Sequence, residues 1–437
     1  MSKTIVLLSA ALILASSLAL RAEENTLDVE TAVRLAVANN LKLKSQRISL
    51  ATAARERKNA WNQFLPSLDA AATLSRLNEA PSAPGLELSP WYVAFSVQAS
   101  LRLSLATQES IRATVLNYES GLIDFETAQK RLERDVRKAF YAMLLSQESI
   151  RLAEQELATA ERRYQQTLKN FQAGLAPRLD MLSARVAAEN LKPALEEQRV
   201  AYAASLMSLQ ALLGLELEEQ LALRGSIEAR VYHFDSNALV AQYTGGRLDV
   251  QSLQKQLQIL ESRKRQQKLS SLSPALSLSA SLAPTGNLAD DSDWSDEGYL
   301  SLGVSIPLEG FVPGSATQVA LADTQDSIEK ARLAIAQARR QAAIEIKTAV
   351  LGLEKSLRTM EALQLNVSLA QEVYTLSEAA YAAGTRELLE VQNASDDLQQ
   401  AKLLLLKERY NYLSALIDLS YALNATLNDL EEKHVQE

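Results

Sequence analysis

Residues 108–171 contain no proline and one glycine, Gly121, and residues 315–383 again contain no proline and one glycine, Gly352. Nothing in either stretch breaks a helix, and at 1.5 Å per residue each would span roughly 100 Å. No compact globular core needs a helix of that length. In the second stretch Ile328, Ala331, Ile335, Ala338 and Ala342 follow the 3-4-3-4 spacing of a coiled-coil seam, while Glu, Lys, Arg and Gln fill the other faces. Alanine at many seam positions lets neighbouring helices approach closely.

Other segments carry a different period. In 93–105 the odd positions are Val93, Phe95, Val97, Ala99, Leu101, Leu103 and Leu105, and the even ones include Ser96, Gln98, Ser100, Arg102 and Ser104. Leu68, Ala70, Ala72 and Leu74 alternate with Asp69, Ala71, Thr73 and Ser75. Leu276, Leu278, Ala280 and Leu282 alternate with serines, as do Leu300, Leu302, Val304, Ile306 and Leu308 with Ser301, Gly303 and Ser305. Period two places one set on each face of a sheet. A soluble sheet would rest its apolar face on a core, but little besides coiled-coil helices is left to cover it. An apolar face backed by a serine-rich one fits a barrel with lipid outside and water inside. Trp91, Tyr92, Trp294 and Tyr299 at the strand ends are expected as interfacial aromatics. Four strands cannot close around a pore, and open edges in lipid leave backbone groups unpaired. The chain is therefore expected to oligomerise, and three copies would supply twelve strands.

The chain reads as two similar halves. Phe171-Gln172-Ala173-Gly174 matches Tyr381-Ala382-Ala383-Gly384, and Asp180, Ala184, Tyr202, Leu206, Leu209 and Leu213 fall on Glu390, Ala394, Tyr412, Leu416, Leu419 and Leu423. Phe64-Leu65-Pro66-Ser67-Leu68 corresponds to Leu272-Ser273-Pro274-Ala275-Leu276. Each half reads helix, strand, strand, long helix, return helix. The opening helices are expected at 29–62 and 248–269, with Asp28 and Asp249 as capping carboxylates near their starts. Pro193, inside the first return helix, is expected to mark a kink. The expected division is 1–22 as a signal peptide, 23–228 as the first repeat and 229–437 as the second.

Lys3, the apolar run Ile5 to Leu14 and the small residues near Ser17, Ala19 and Ala22 form a secretory signal, with cleavage after Ala19 or Ala22. The apolar run is shorter than the ~20 residues of a spanning helix, and no continuously apolar stretch of that order follows. The formal net charge of −8 argues against nucleic acid as a partner. The absence of cysteine removes disulfides, thiolate metal sites, cysteine nucleophiles and a lipidated cysteine. His233 and His434 are the only histidines and have no visible convergent partners, so neither a catalytic nor a metal site is expected. The acidic stretch Asp290, Asp291, Asp293, Asp296 and Glu297 reads as a solvated loop.

Taken with the opening Leu27-Asp28-Val29-Glu30-Thr31-Ala32-Val33, the helix-to-strand Phe64-Leu65-Pro66-Ser67-Leu68 and the turns Gly174-Leu175-Ala176-Pro177-Arg178-Leu179-Asp180-Met181-Leu182 and Gly384-Thr385-Arg386-Glu387-Leu388-Leu389-Glu390-Val391, the chain resembles the TolC-type outer-membrane efflux family over nearly all its length. The motifs are individually short; their order, duplication and separation by long helices are specific. The resemblance implies an α+β membrane protein. It would be a homotrimer whose twelve-stranded barrel, four strands per chain, sits in outer-membrane lipid and continues as a helical coiled-coil barrel into the periplasm. It further implies a non-enzymatic duct of a tripartite efflux or type I secretion system, without cofactor, served by a periplasmic adaptor and an inner-membrane transporter. No phosphate-binding loop appears.

The resemblance also assigns residues. Gly174, Leu175, Ala176, Gly384, Thr385 and Leu388 would meet the adaptor. Asp180, Tyr381 and Arg386 would latch the tip, Asp180 accepting from the tyrosine hydroxyl and Arg386 bridging to a neighbouring helix. Leu179 stands where some relatives have a hydroxyl residue partnering that arginine. Glu390 would ring the constriction, with Asn393 where a second acidic ring can occur. The competing expectation is a secreted or periplasmic structural coiled-coil protein, for example adaptor-like. Duplicated serine/leucine hairpins argue against it.

Overall fold

The computed structural model describes residues 26–78, 82–83, 86–87, 90–217, 221–228, 230–287, 295–296 and 298–425. The expected signal segment, Trp294, His434 and, apart from Asp296, the acidic stretch lie outside the described residues. The described residues form two compact units, one drawn from 26–46, 126–247 and 339–425 and the other from 47–125 and 248–338. Each unit draws on both sequence halves, so the halves are not separate bodies.

The second unit holds the sheet. Its strands are β2 (Ser67–Arg76), β5 (Trp91–Ser104), β7 (Ala275–Leu282), β8 (Pro284–Asn287), β9 (Ser295–Asp296) and β10 (Tyr299–Ser305), alongside a separate short pair, β3 (Ser82–Ala83) and β4 (Leu86–Glu87). β7 and β8 meet β5 in one register, Val97 opposite Leu282 and Tyr92 opposite Asn287. β9 and β10 likewise meet β8 and β7 in one register. The result is four antiparallel tracks in chain order, with β2 at one edge and β10 at the other.

Through the middle of the sheet, register keeps the polar and apolar sets apart. Ser67, Asp69 and Ala71 oppose Ser100, Gln98 and Ser96, which continue across β5 to Ser279 and Ser281 and on to Ser301 and Tyr299. On the other face Leu68 and Leu74 oppose Ala99 and Val93, and Leu101 and Leu103 lead through Leu278 and Leu276 to Leu302 and Val304. Both faces are open: on the apolar face Leu68 is 73% exposed and Leu300 76%, and on the serine face Ser67, Asp69, Ser100 and Ser301 are exposed. Trp91 lies on the apolar face, with the Arg76 guanidinium 5.7 Å from its ring. Tyr92 and Tyr299 do not join it. Their register puts them on the serine face, because strand ends alternate like strand middles.

The helices of this unit are joined by polar links. Lys255 Nζ donates to Glu119 at 2.8 Å, Ser262 Oγ to Glu109 at 2.9 Å and Thr324 Oγ1 to Gln267 at 2.7 Å. Arg57 lies over the Tyr118 ring at 4.9 Å.

In the first unit, β1 (Thr26–Leu27) pairs in parallel with β6 (Ala222–Leu223). The helices are α1 (Val29–Asn39), α2 (Leu41–Lys58), α3 (Ala106–Gln172), α4 (Arg178–Leu213), α5 (Ser236–Tyr243), α6 (Leu248–Leu272), α7 (Ala316–Ala382) and α8 (Leu388–Leu423); α2 from Arg47 onward, α6 and the starts of α3 and α7 fall in the second unit. The expected long helices thus appear as α3 and α7, each 67 residues, and the return helices α4 and α8 are each 36. Ile328, Ile335 and Ala342 of the expected seam are buried. α4 runs through Pro193 as one helix.

The opening helix expected at 29–62 is broken. Asn40 ends α1, donates Nδ2 to the Leu212 carbonyl at 2.9 Å and accepts the Leu43 N–H at 3.1 Å. The segment 60–64 is 3-10 helix. Asp28 caps α1 through the Thr31 N–H at 2.7 Å. Asp249 lies inside the first turn of α6, where its carboxylate accepts the Val250 N–H at 2.8 Å as expected of a capping group; the residue at the N-cap position itself, matching Asp28, is Asp235 at the start of α5. α4 ends at Gly214 with φ +71°, where a Cβ would sit 2.6 Å from the Asn39 carbonyl oxygen; only glycine fits. A core of Leu239, Ile346, Leu353, Tyr412, Leu419 and Leu423 seats α5 on α7 and α8, and the Tyr412 hydroxyl accepts the Tyr232 N–H at 3.0 Å. Arg137 grips Glu30 with two bonds of 2.6 and 3.0 Å, and Lys138 reaches Asp418 at 2.6 Å.

Candidate functional site

The turns between long and return helices close in the same way. Gly174 has φ +71° and Gly384 φ +72°, and each stops its helix with a left-handed residue. Leu175 N–H donates to the Asn170 carbonyl at 2.8 Å and Gly174 N–H to Phe171 at 3.0 Å; Thr385 and Gly384 repeat this with Ala380 and Tyr381 at 3.0 and 2.9 Å. The Thr385 hydroxyl adds a bond to the Ala380 carbonyl. A side chain at either glycine would meet no atom within 4 Å, so φ and not crowding selects glycine there.

Of the six residues expected at a docking surface, five lie in these turns. Leu175 is 80% exposed, Gly174, Gly384 and Thr385 are exposed, and Ala176 is half-buried. Leu388 differs. It is 4% exposed, because as the first residue of α8 it turns inward with Val391, Ala394 and Leu398, four residues on one helix face. Its side chain underpins the turn and is not offered to solvent.

Asp180, Tyr381 and Arg386 line one groove of 1320 Å³ that also touches Glu156, Arg163 and Tyr374. Among the described residues no hydrogen bond joins Asp180 to Tyr381. Arg386 does not bridge to a neighbouring helix within the chain: it donates to Glu390 at 2.7 Å, the carboxylate four residues ahead and within reach at the start of α8. Glu390 therefore carries a compensating charge, and both side chains remain exposed. Asp180 and Glu390 each occupy the first turn of a return helix, where a carboxylate also complements the helix dipole. Asn393 is exposed in the next turn of α8.

The link between the two long helices here was not foreseen. Arg163 of α3 donates to the Tyr374 hydroxyl of α7 at 3.4 Å, and that hydroxyl donates to Glu378 at 3.3 Å. Mid-helix polar residues in a wet coiled coil give no sequence signal of which one faces a neighbour. Burial, reinforced by the Asp396 carboxylate, raises the Glu156 pKa above the ordinary range. Burial raises that of Asp396 too, with Asp397 adding to the shift and Arg163 opposing it. His233 lies beside Glu228, Glu354 and Glu361 in another groove, and the described residues form no metal-binding cluster. No helix among them is long and apolar enough to cross a membrane.

Comparison with known proteins places these features. A family model described as outer membrane efflux protein matches residues 32–215 and again 239–425. The chain is 23% identical over 419 residues to the outer membrane protein TolC of Escherichia coli K12, covering 93% of this chain and 83% of that protein. Its fold is that of the Campylobacter jejuni CmeC outer membrane channel (TM-score 0.74, 18% identity, 90% of this chain and 85% of that one). It is also that of CusC, whose structures are described by transmembrane channel formation (TM-score 0.73, 18% identity, 92% and 94%).

Proposed function

This chain belongs to the outer membrane efflux protein family, a family of non-enzymatic outer-membrane channels, and from that premise we propose that it is the passive exit duct of a tripartite efflux or type I secretion system. The observation that supports this most is the sheet. Its faces are segregated across all four tracks, its apolar face is uncovered and both its edges are open. Lipid satisfies the first face, water the second, and only further strands satisfy the edges.

Three copies give twelve strands, and the helices carry a matching demand. On α4 the apolar residues Leu179, Val186, Val200 and Met207 are exposed at multiples of seven. On α7 Ile344, Leu351 and Leu365 are likewise exposed on a seven-residue repeat. Seven-residue apolar stripes are what a neighbouring helix covers in a coiled coil. The trimer thus supplies helical neighbours for the tunnel as it supplies strands for the barrel. Each protomer contributes two tandem repeats, 23–228 and 229–437.

The turns around Gly174, Leu175, Ala176, Gly384 and Thr385 form the adaptor-docking tip, with Leu388 holding the second turn from beneath. A periplasmic adaptor and an inner-membrane transporter provide connection and energy. Asp180, Tyr381 and Arg386 act as the latch around the tip groove, and Glu390 and Asn393 line the constriction. Arg386 sets the Glu390 carboxylate in place, so loosening the latch also uncovers that charge. In planar bilayers Arg386→Ala is expected to raise single-channel conductance several-fold and to increase cation preference. Unchanged conductance would remove the latch assignment, and absence of any channel from purified wild type would remove the duct.

A further inference from the structure

The serine face of the sheet carries two charges among the described residues, Asp69 on β2 and Arg102 on β5. Register separates them. Asp69 lies opposite Gln98, and Arg102 lies four residues further along β5, near the end that feeds α3. At about 3.3 Å per residue that is roughly 13 Å along the strand. Neither side chain makes a hydrogen bond or ion pair among the described residues. Arg102 is exposed, and its cross-strand neighbour is Ser277, which in turn faces Gly303. Ser277 Oγ donates to the Gly303 carbonyl at 3.2 Å, and a Cβ at 303 would come within 2.9 Å of Ser277 Oγ. Small residues thus leave the guanidinium free to extend from the sheet.

We propose that Arg102 is a specificity-determining residue of the duct: three copies form a positive ring in the barrel lumen that favours anionic solutes at the helix-proximal mouth. The proposal rests on the duct reading above. Twelve strands 4.7–4.9 Å apart, tilted about 40°, enclose a backbone cylinder roughly 12 Å in radius. An extended arginine crosses about half of that. Its charge then lies within a Debye length, about 8 Å at physiological salt, of any ion on the axis. Three screened charges at that distance enrich an anion roughly fivefold and deplete a cation by a similar factor. Asp69 acts with opposite sign at a different depth. The lumen is therefore bipolar along its length, and the positive end is the one a solute leaving the helices meets first.

The lack of cysteine makes the test direct. Ser100→Cys places a single thiol two residues from Arg102 on the same face. In outer-membrane vesicles its modification rates by an anionic and a cationic methanethiosulfonate reagent are compared. The anionic-to-cationic rate ratio is expected to fall by up to about 25-fold, the product of those two factors, when Arg102→Ser is added and to be retained with Arg102→Lys. An unchanged ratio in the serine variant overturns the proposal while leaving a lumen. If Ser100→Cys is inert to both reagents and Leu101→Cys reacts instead, the serine face is not the lumen, and the duct reading falls with the proposal.

Discussion

At the scale of single residues, the tip is a place where small electrostatic differences decide. Arg386 and Glu390 are solvent-exposed, and such pairs contribute on the order of 0–1 kcal/mol. A contact that weak suits a latch an adaptor must release. Glu156, at the same groove, works the other way. Its raised pKa means the folded chain holds a proton that the unfolded chain has released. Stability tied to this group is full below its ordinary value of 4.5 and declines as pH rises through the raised one. Glu156→Gln removes the charge for good. It is expected to stabilise the protein at pH 7 by about 0.3–0.5 kcal/mol, a small figure because the group is partly solvated. The variant and wild type should converge below pH 4.5. Thermal unfolding followed by circular dichroism across this range checks it; a constant difference at all pH values would contradict the assignment.

At the scale of elements, the sheet makes the sharpest demand, because neighbours on one strand are asked to face opposite solvents. Leu302, near the middle of β10, is paired with Leu278 on the apolar face, and Ser301 with Ser279 on the other. Leu302→Lys is expected to destabilise the membrane-inserted protein by roughly 2–4 kcal/mol, and Ser301→Lys by far less. Urea unfolding in lipid vesicles measures both, and equal effects would mean that the two faces share one environment. This same alternation made the strands readable from sequence, since period two needs no tertiary knowledge. The long helices were readable for a complementary reason: a stretch free of proline, with a single glycine in each, marked their ends to within two residues. What escaped was decided by contacts distant in sequence. The break at Asn40 exists because its amide reaches the Leu212 carbonyl. α5 is eight residues long, too short to show a period, and is held by the core around Tyr412. The pairing of β5 with β7 joins the two halves across more than a hundred residues, which no local pattern encodes.

The candidate site was legible in part for the same reason. The turn glycines announce themselves by their place after long helices, and Leu175, in the first of these turns, is exposed. The inward turn of Leu388 and the bond from Arg386 to Glu390 depend on where α8 begins, a matter of one or two residues that composition does not settle. Arg102 was visible in the alternation, but its freedom from a partner was not.

At the scale of the whole molecule, three uncovered features ask for a copy of the same chain. The sheet edges need strands, the stripes on α4 and α7 need helices, and the charges at Arg102 and Glu390 gain influence over a solute when repeated around an axis. A head-to-tail ring satisfies all three at once, because different surfaces of one chain meet on its neighbours. The most direct test is the native mass of the purified protein in detergent. A species of three chains that needs detergent to stay in solution is the expected result. A stable, detergent-free monomer would contradict the account, since it would show that four strands with open edges need neither lipid nor neighbours.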